Sequence, residues 1–133
     1  METKNSSKVA ILEKFMELGR SRDMTALELL VTEDIRINEA QSLPFGGEYV
    51  GWAGYLDVTE KFFGKMRSVR LELIDTWDGP RCSLVAHFVL CAVSKRTQQK
   101  ITMPLLEIWE FEGDKVSAIT PFYHDTHLLS ELL

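Results

Sequence analysis

The sequence predicts an α+β fold, with helices first and a run of antiparallel strands after them. Two patterns carry this prediction: apolar residues recur at three and four positions through the first half, and long β-rich runs alternate with short turns from Ser68 onward. At 133 residues, with 45% hydrophobic and 26% charged positions, the chain has the composition of one globular domain spanning residues 1–133.

The elements follow in order. Ser6 or Ser7 is placed to cap a first helix whose stripe is Val9, Ile11, Leu12, Phe15, Met16 and Leu18, with Gly19 as its stop. Thr25 and Glu28 have capping-box spacing ahead of Leu29, Leu30 and Val31, which predicts a second, short helix. Asp34 to Glu39 reads as a brief strand, and Ala40 to Val50, with Pro44, Gly46 and Gly47, as a loop. From Trp52 a third helix places Tyr55, Leu56, Thr59, Phe62, Phe63 and Met66 at helical spacing.

Four strands are then expected over Ser68–Trp77, Cys82–Ser94, Ile101–Phe111 and Lys115–Tyr123, and a last helical turn or two within His124–Leu133. Strands this long in a small domain favour a twisted, curved sheet whose concave face wraps helices. Alternation puts Met103, Leu105, Glu107, Trp109 and Phe111 on one face, and Leu106, Ile108 and Glu110 on the other. A turn centred between Thr97 and Gln98 sets Phe88 opposite Glu107 with His87 outward, whereas a one-residue slip brings His87 to Glu107.

Charge and cysteine content narrow the function classes. Lys and Arg number 15 against 20 Asp and Glu, and the net charge of −5 opposes attraction to phosphate, so no nucleic-acid partner is expected. No stretch has the apolar length to span a bilayer and Met1 to Ser7 is too polar for a secretory signal, so the expectation is a cytoplasmic protein with no membrane partner. Cys82 and Cys91, nine positions apart on one expected strand, point to opposite faces and serve as strand filler in a reducing compartment. No glycine-rich phosphate loop or nucleophile elbow is present, and His124, Asp125 and His127 lack the spacing of a zinc motif, so neither cofactor nor metal is expected.

Three segments carry a family resemblance: Leu43-Pro44-Phe45-Gly46-Gly47-Glu48-Tyr49-Val50-Gly51 before a helix, Leu106 to Val116, and Pro121-Phe122-Tyr123-His124-Asp125. Together they resemble the SnoaL-like polyketide cyclases, within the superfamily of nuclear transport factor two and ketosteroid isomerase. The resemblance implies a cone-shaped barrel of N-terminal helices packed in a strongly curved, mixed but mostly antiparallel sheet, with a pocket at the open end. It also implies a homodimer through the outer sheet face. The nearly unbroken apolar run Leu84 to Val93 independently suggests a strand covered on both sides.

In ketosteroid isomerases one carboxylate takes a proton from carbon while a second, protonated acid and a tyrosine donate to the oxygen. By the resemblance, Glu39 falls at the position of the base and Glu107 at that of the protonated acid, while Phe15 stands where the tyrosine would be. In the cyclase branch an aspartate near the chain end acts as acid/base, and Asp125 is the matching candidate. Tyr49, Tyr55 or Tyr123 is available to replace the missing hydroxyl.

Proton removal beside a carbonyl needs a partly desolvated carboxylate, and a carboxylic acid in an apolar wall can donate to the resulting enolate. Each acid also has a simpler reading: Glu107 paired with Lys or Arg, Glu39 solvated at a loop entry, Asp125 capping the last helix. Phe15, Trp52, Tyr55, Phe62, Phe88, Trp109 and Tyr123 are candidate walls for a hydrophobic small-molecule ligand. The leading expectation is thus a cofactor-independent isomerase, cyclase or dehydratase acting on an apolar carbonyl compound. A non-catalytic carrier of such a ligand, or a dimeric assembly domain, are the alternatives.

Overall fold

The computed structural model describes residues 3–133, with side chains from Ser7 onward; the polar stretch Met1 to Ser6 and any cap by the Ser6 side chain lie outside the described side chains. Helix α1 (Thr3–Ser21) runs through Ser7 instead of starting there. It passes Gly19 as well, since one glycine disfavours a helix by only about 1 kcal/mol. The stop is Arg22 at φ 60°: its N–H bonds the Gly19 carbonyl and the next N–H bonds that of Leu18, an αL ending. Leu12, Phe15 and Leu18 of the stripe are buried.

Helix α2 (Met24–Glu28) is short, as expected, but its cap is Asp23, whose carboxylate accepts from the Ala26 N–H at 3.2 Å. Thr25 therefore lies inside the helix. Strand β1 (Val31–Glu39) starts three residues before the expected strand, and the supposed loop holds a second strand, β2 (Gly47–Val50), paired antiparallel to β1. The glycine and proline signals are real but belong to the tight return between them: a Cβ on Gly46 would collide with the Ala40 and Gln41 carbonyls.

Helix α3 (Gly51–Gly64) buries Val58 and packs Trp52, Tyr55 and Phe62 against the core. Leu56 and Phe63, assigned to the same stripe, are exposed, and Met66 opens the next strand. Strands β3 (Met66–Gly79), β4 (Ser83–Ser94), β5 (Lys100–Glu112) and β6 (Lys115–Tyr123) form the expected meander, and α4 (Thr126–Leu132) closes the chain. The six strands make one sheet in the order β2-β1-β6-β5-β4-β3. Only β1 and β6 run parallel, so the sheet is mixed; it curls around the helices without closing, leaving β2 and β3 as edges.

Two details of the strands depart from expectation. The β4–β5 register puts Ala86, not Phe88, opposite Glu107, and Phe88 opposite Leu105. A four-residue turn, Lys95–Gln98, with Gln98 at φ 60° and its N–H on the Ser94 carbonyl at 2.9 Å, accounts for the offset. The offset is two residues, so every side chain keeps its face and His87 points outward as read, stacked 6.3 Å from Trp77. Cys82 lies before β4, exposed at φ 57°, and is not strand filler; Cys91 is half-buried on the outer face, and both are free thiols.

Candidate functional site

Strand alternation and sheet curvature bring the two glutamates to one place. In the parallel β1–β6 ladder Ile37 pairs with Ile119, so Glu39, two residues on, comes alongside Pro121. From the other side Pro121 pairs with Glu107 of β5. The two glutamates thus flank one proline on the same concave face, two strand spacings or about 10 Å apart at the backbone. Inward curvature makes their side chains converge, and the Glu107 charge raises the pKa of Glu39.

The surroundings are apolar. Ala86 and Pro121, the neighbours of Glu107 in the pleat, offer its carboxylate no side-chain donor. Its donor is Trp109, two positions along the same face, whose indole Nε1–H bonds Oε1 at 2.8 Å. The Trp109 ring is held edge-on by Phe15 of α1, centroid to centroid 4.9 Å, and Phe15 meets Tyr55 the same way at 5.7 Å. Tyr55 in turn stacks on Trp52 at 5.2 Å. These rings form a continuous apolar row leading away from Glu107, while both glutamates are half-buried.

Burial accordingly pushes Glu107 up to about 7, while the Trp109 N–H pulls it partly back. Glu39 rises to about 8, first by burial and then by the nearby Glu107, with the Tyr123 phenol acting to lower it. Glu39 Oε1 is sealed from solvent and has no hydrogen-bond partner. Burial and the two carboxylates together hold the Tyr123 hydroxyl well above its ordinary value, so it remains a phenol throughout the working range. Among the described residues neither glutamate has a Lys, Arg or His partner, so the ion-pair reading of Glu107 does not describe its surroundings; Glu39 is half-buried with one carboxyl oxygen sealed.

Of the three tyrosines able to supply a hydroxyl, Tyr49 donates to the Phe45 carbonyl at 2.9 Å and Tyr55 engages Thr59 one turn on, while Tyr123 meets Glu39. Asp125 is exposed and caps α4, accepting from the Leu128 N–H at 3.0 Å, which is the simpler of its two readings. Phe88 is sealed in the core, and Phe62 packs on Phe45 and Phe63. Sequence reasoning placed Trp109 among the walls but missed its N–H as the donor to Glu107. The signal was available: residues i and i+2 of a strand share a face, and a buried indole N–H seeks an acceptor.

A curled mixed sheet over N-terminal helices, with an acid pair on its concave wall, defines the class of α+β protein to which the chain belongs. The chain belongs to the SnoaL-like domain family, whose pattern matches residues 12–119. It is similar in structure to Bal32a from a soil-derived mobile gene cassette (TM-score 0.86, 12% identity, 98% of each chain covered). It also resembles a candidate polyketide cyclase from Xanthomonas campestris (TM-score 0.78, 13% identity, covering 98% of this chain and 100% of that one). A third likeness is to a protein of ketosteroid isomerase-like fold from Catenulispora acidiphila, solved with trimethylamine (TM-score 0.67, 12% identity, 83% of each chain). No curated protein matches in sequence. No described helix is long and apolar enough to cross a membrane.

Proposed function

We propose that this protein carries out cofactor-independent acid/base chemistry, of the isomerase, cyclase or dehydratase kind, on an apolar carbonyl compound held against the concave face. The observation that carries the reading is the pair Glu39 and Glu107: two carboxyls with no basic partner among the described residues, set in apolar surroundings that push them up to about 8 and about 7. Between those values the pair holds one proton, so one member takes a proton from carbon while the other offers one to oxygen. Walls of Phe15, Trp52, Tyr55 and Trp109 suit a flat hydrophobic ligand.

Deuterium exchange into cyclic ketones in buffered heavy water tests the reading. Exchange well above the buffer rate, lost in Glu39→Gln and in Glu107→Gln, is expected; equal exchange in wild type and both variants overturns it. Phe15 has no hydroxyl for an enolate oxygen, and this favours the second reading, a carrier of the same class of ligand. A carrier keeps ligand-induced thermal stabilisation in both Gln variants, because apolar burial supplies the affinity.

The proposal extends to a homodimer through the outer sheet face. Leu106 and Phe122 are 41% and 54% exposed there, in line with His87, and Trp77 beside His87 is 49% exposed. The two free thiols suit a reducing, cytoplasmic setting.

A further inference from the structure

We propose that Trp109 is a positioning residue that decides which glutamate holds the proton: its indole N–H keeps Glu107 as the anion and leaves the proton on Glu39, the reverse of the roles implied by resemblance to the isomerases. The geometry is asymmetric. Glu107 Oε1 receives a 2.8 Å bond from a group that can only donate, and a charged acceptor gains about twice as much from such a bond as a neutral one. Glu39 Oε1 is buried without any donor, a position in which a charge is far more costly than a neutral carboxyl. The Tyr123 hydroxyl, donating to Glu39, works toward the Glu39 anion, but burial and the Glu107 charge outweigh it and leave the proton on Glu39.

The ionisable groups acting on the pair are few. Glu39 feels Glu107 of β5 and Tyr123 of β6, while Tyr55 of α3 and Tyr123 feel the charge of Glu107. Both phenols are neutral in the range concerned; the Tyr123 hydroxyl favours the Glu39 anion but is outweighed there by burial and the Glu107 charge, and the indole tips the balance toward the Glu107 anion. The i, i+2 spacing on β5 fixes that choice in the backbone, and the edge-on Phe15 ring holds the indole in place.

In catalytic terms, which rest on the function proposed above, Glu107 takes the α-proton of the bound ketone. The C–H electron pair becomes the enol double bond, and the carbonyl π pair takes the Glu39 proton. Glu107 is left protonated and Glu39 ionised; Glu107 then returns a proton to carbon while the enol O–H gives its proton back to Glu39, which restores the carbonyl and resets the pair.

The order of protonation is a property of the ligand-free protein and is tested without turnover. In protein carrying 13Cδ-labelled glutamate, with resonances assigned from Glu39→Gln and Glu107→Gln, Glu107 is expected to give up its proton first and Glu39 second. The Trp109 indole proton should move downfield with the first step. In Trp109→Phe, folded by near-ultraviolet circular dichroism, the Glu107 midpoint should rise by about one pH unit, a tenfold change in proton affinity. Glu39 titrating first, an indole proton that follows the second step or neither, or an unmoved Glu107 midpoint in Trp109→Phe each overturns the assignment. The indole readout needs no substitution, so it stands even if Trp109→Phe does not fold. If the order is as expected but wild-type protein exchanges no ketone deuterium, the catalytic reading fails while the role of Trp109 holds.

Discussion

Glu39 and Glu107 stand on either side of Pro121, one on a strand parallel to it and one on a strand antiparallel to it, with both side chains on the concave face. Neither has a basic partner among the described residues, and their burial is uncompensated except by the Trp109 N–H and the Tyr123 hydroxyl. A fold optimised for stability alone would replace two such groups with hydrocarbon. Their presence has measurable consequences.

The first concerns stability and pH. Both pKa values are raised in the folded state, so the folded protein binds these protons more tightly than the unfolded chain. The resulting stabilisation is complete below the unfolded value of 4.5 and is lost as pH rises through about 7 and about 8. Wild-type Tm should therefore fall between pH 5 and pH 9, with a loss on the order of 6 kcal/mol in stability. The double variant Glu39→Gln/Glu107→Gln should show a much flatter profile, which thermal denaturation across this range will check.

Ketone deuterium exchange should have a bell-shaped pH dependence. The active form carries one proton on the pair, so the rate should climb as the first carboxyl ionises near 7 and fall as the second does near 8. A rate that rises steadily with pH past 9 would point to hydroxide or another base instead.

Asp125 separates capping from chemistry. Asp125→Ala removes the acceptor for the Leu128 N–H and should lower stability by about 1 kcal/mol, whereas Asp125→Asn, an equally good cap, should change it little. The Asn variant no longer has an acid, and its exchange rate is expected to equal that of wild type. A loss of exchange in that variant with Tm unchanged would return Asp125 to the acid/base machinery.

Association through the outer face should depend on its exposed apolar row. Phe122→Lys or Trp77→Glu places a charge where the proposed dimer buries an aromatic ring, and sedimentation at micromolar concentration should then show monomer where the wild type shows dimer. A monomeric wild type would rule out the dimer.

The α+β order of elements, the meander from β3 to β6, the face carrying Leu105, Glu107 and Trp109, and the acidic residues at 39 and 107 were legible in the amino-acid sequence. These are local properties: a period of 2 or 3.6 and the turn chemistry between elements are written in neighbouring residues. The existence of β2 emerged with the folded chain, because four residues that follow loop signals become a strand by pairing with β1. The fold alone set the two-residue offset between β4 and β5, made Asp23 a cap and Asp125 an exposed one, and turned Trp109 from a wall into a donor. Above all, the proximity of Glu39 and Glu107 depends on β6 inserting between β1 and β5. The two residues are far apart along the chain, and Glu107 raises the proton affinity of Glu39 only because a curved sheet brings them together in apolar surroundings, where charge is costly and each available donor counts.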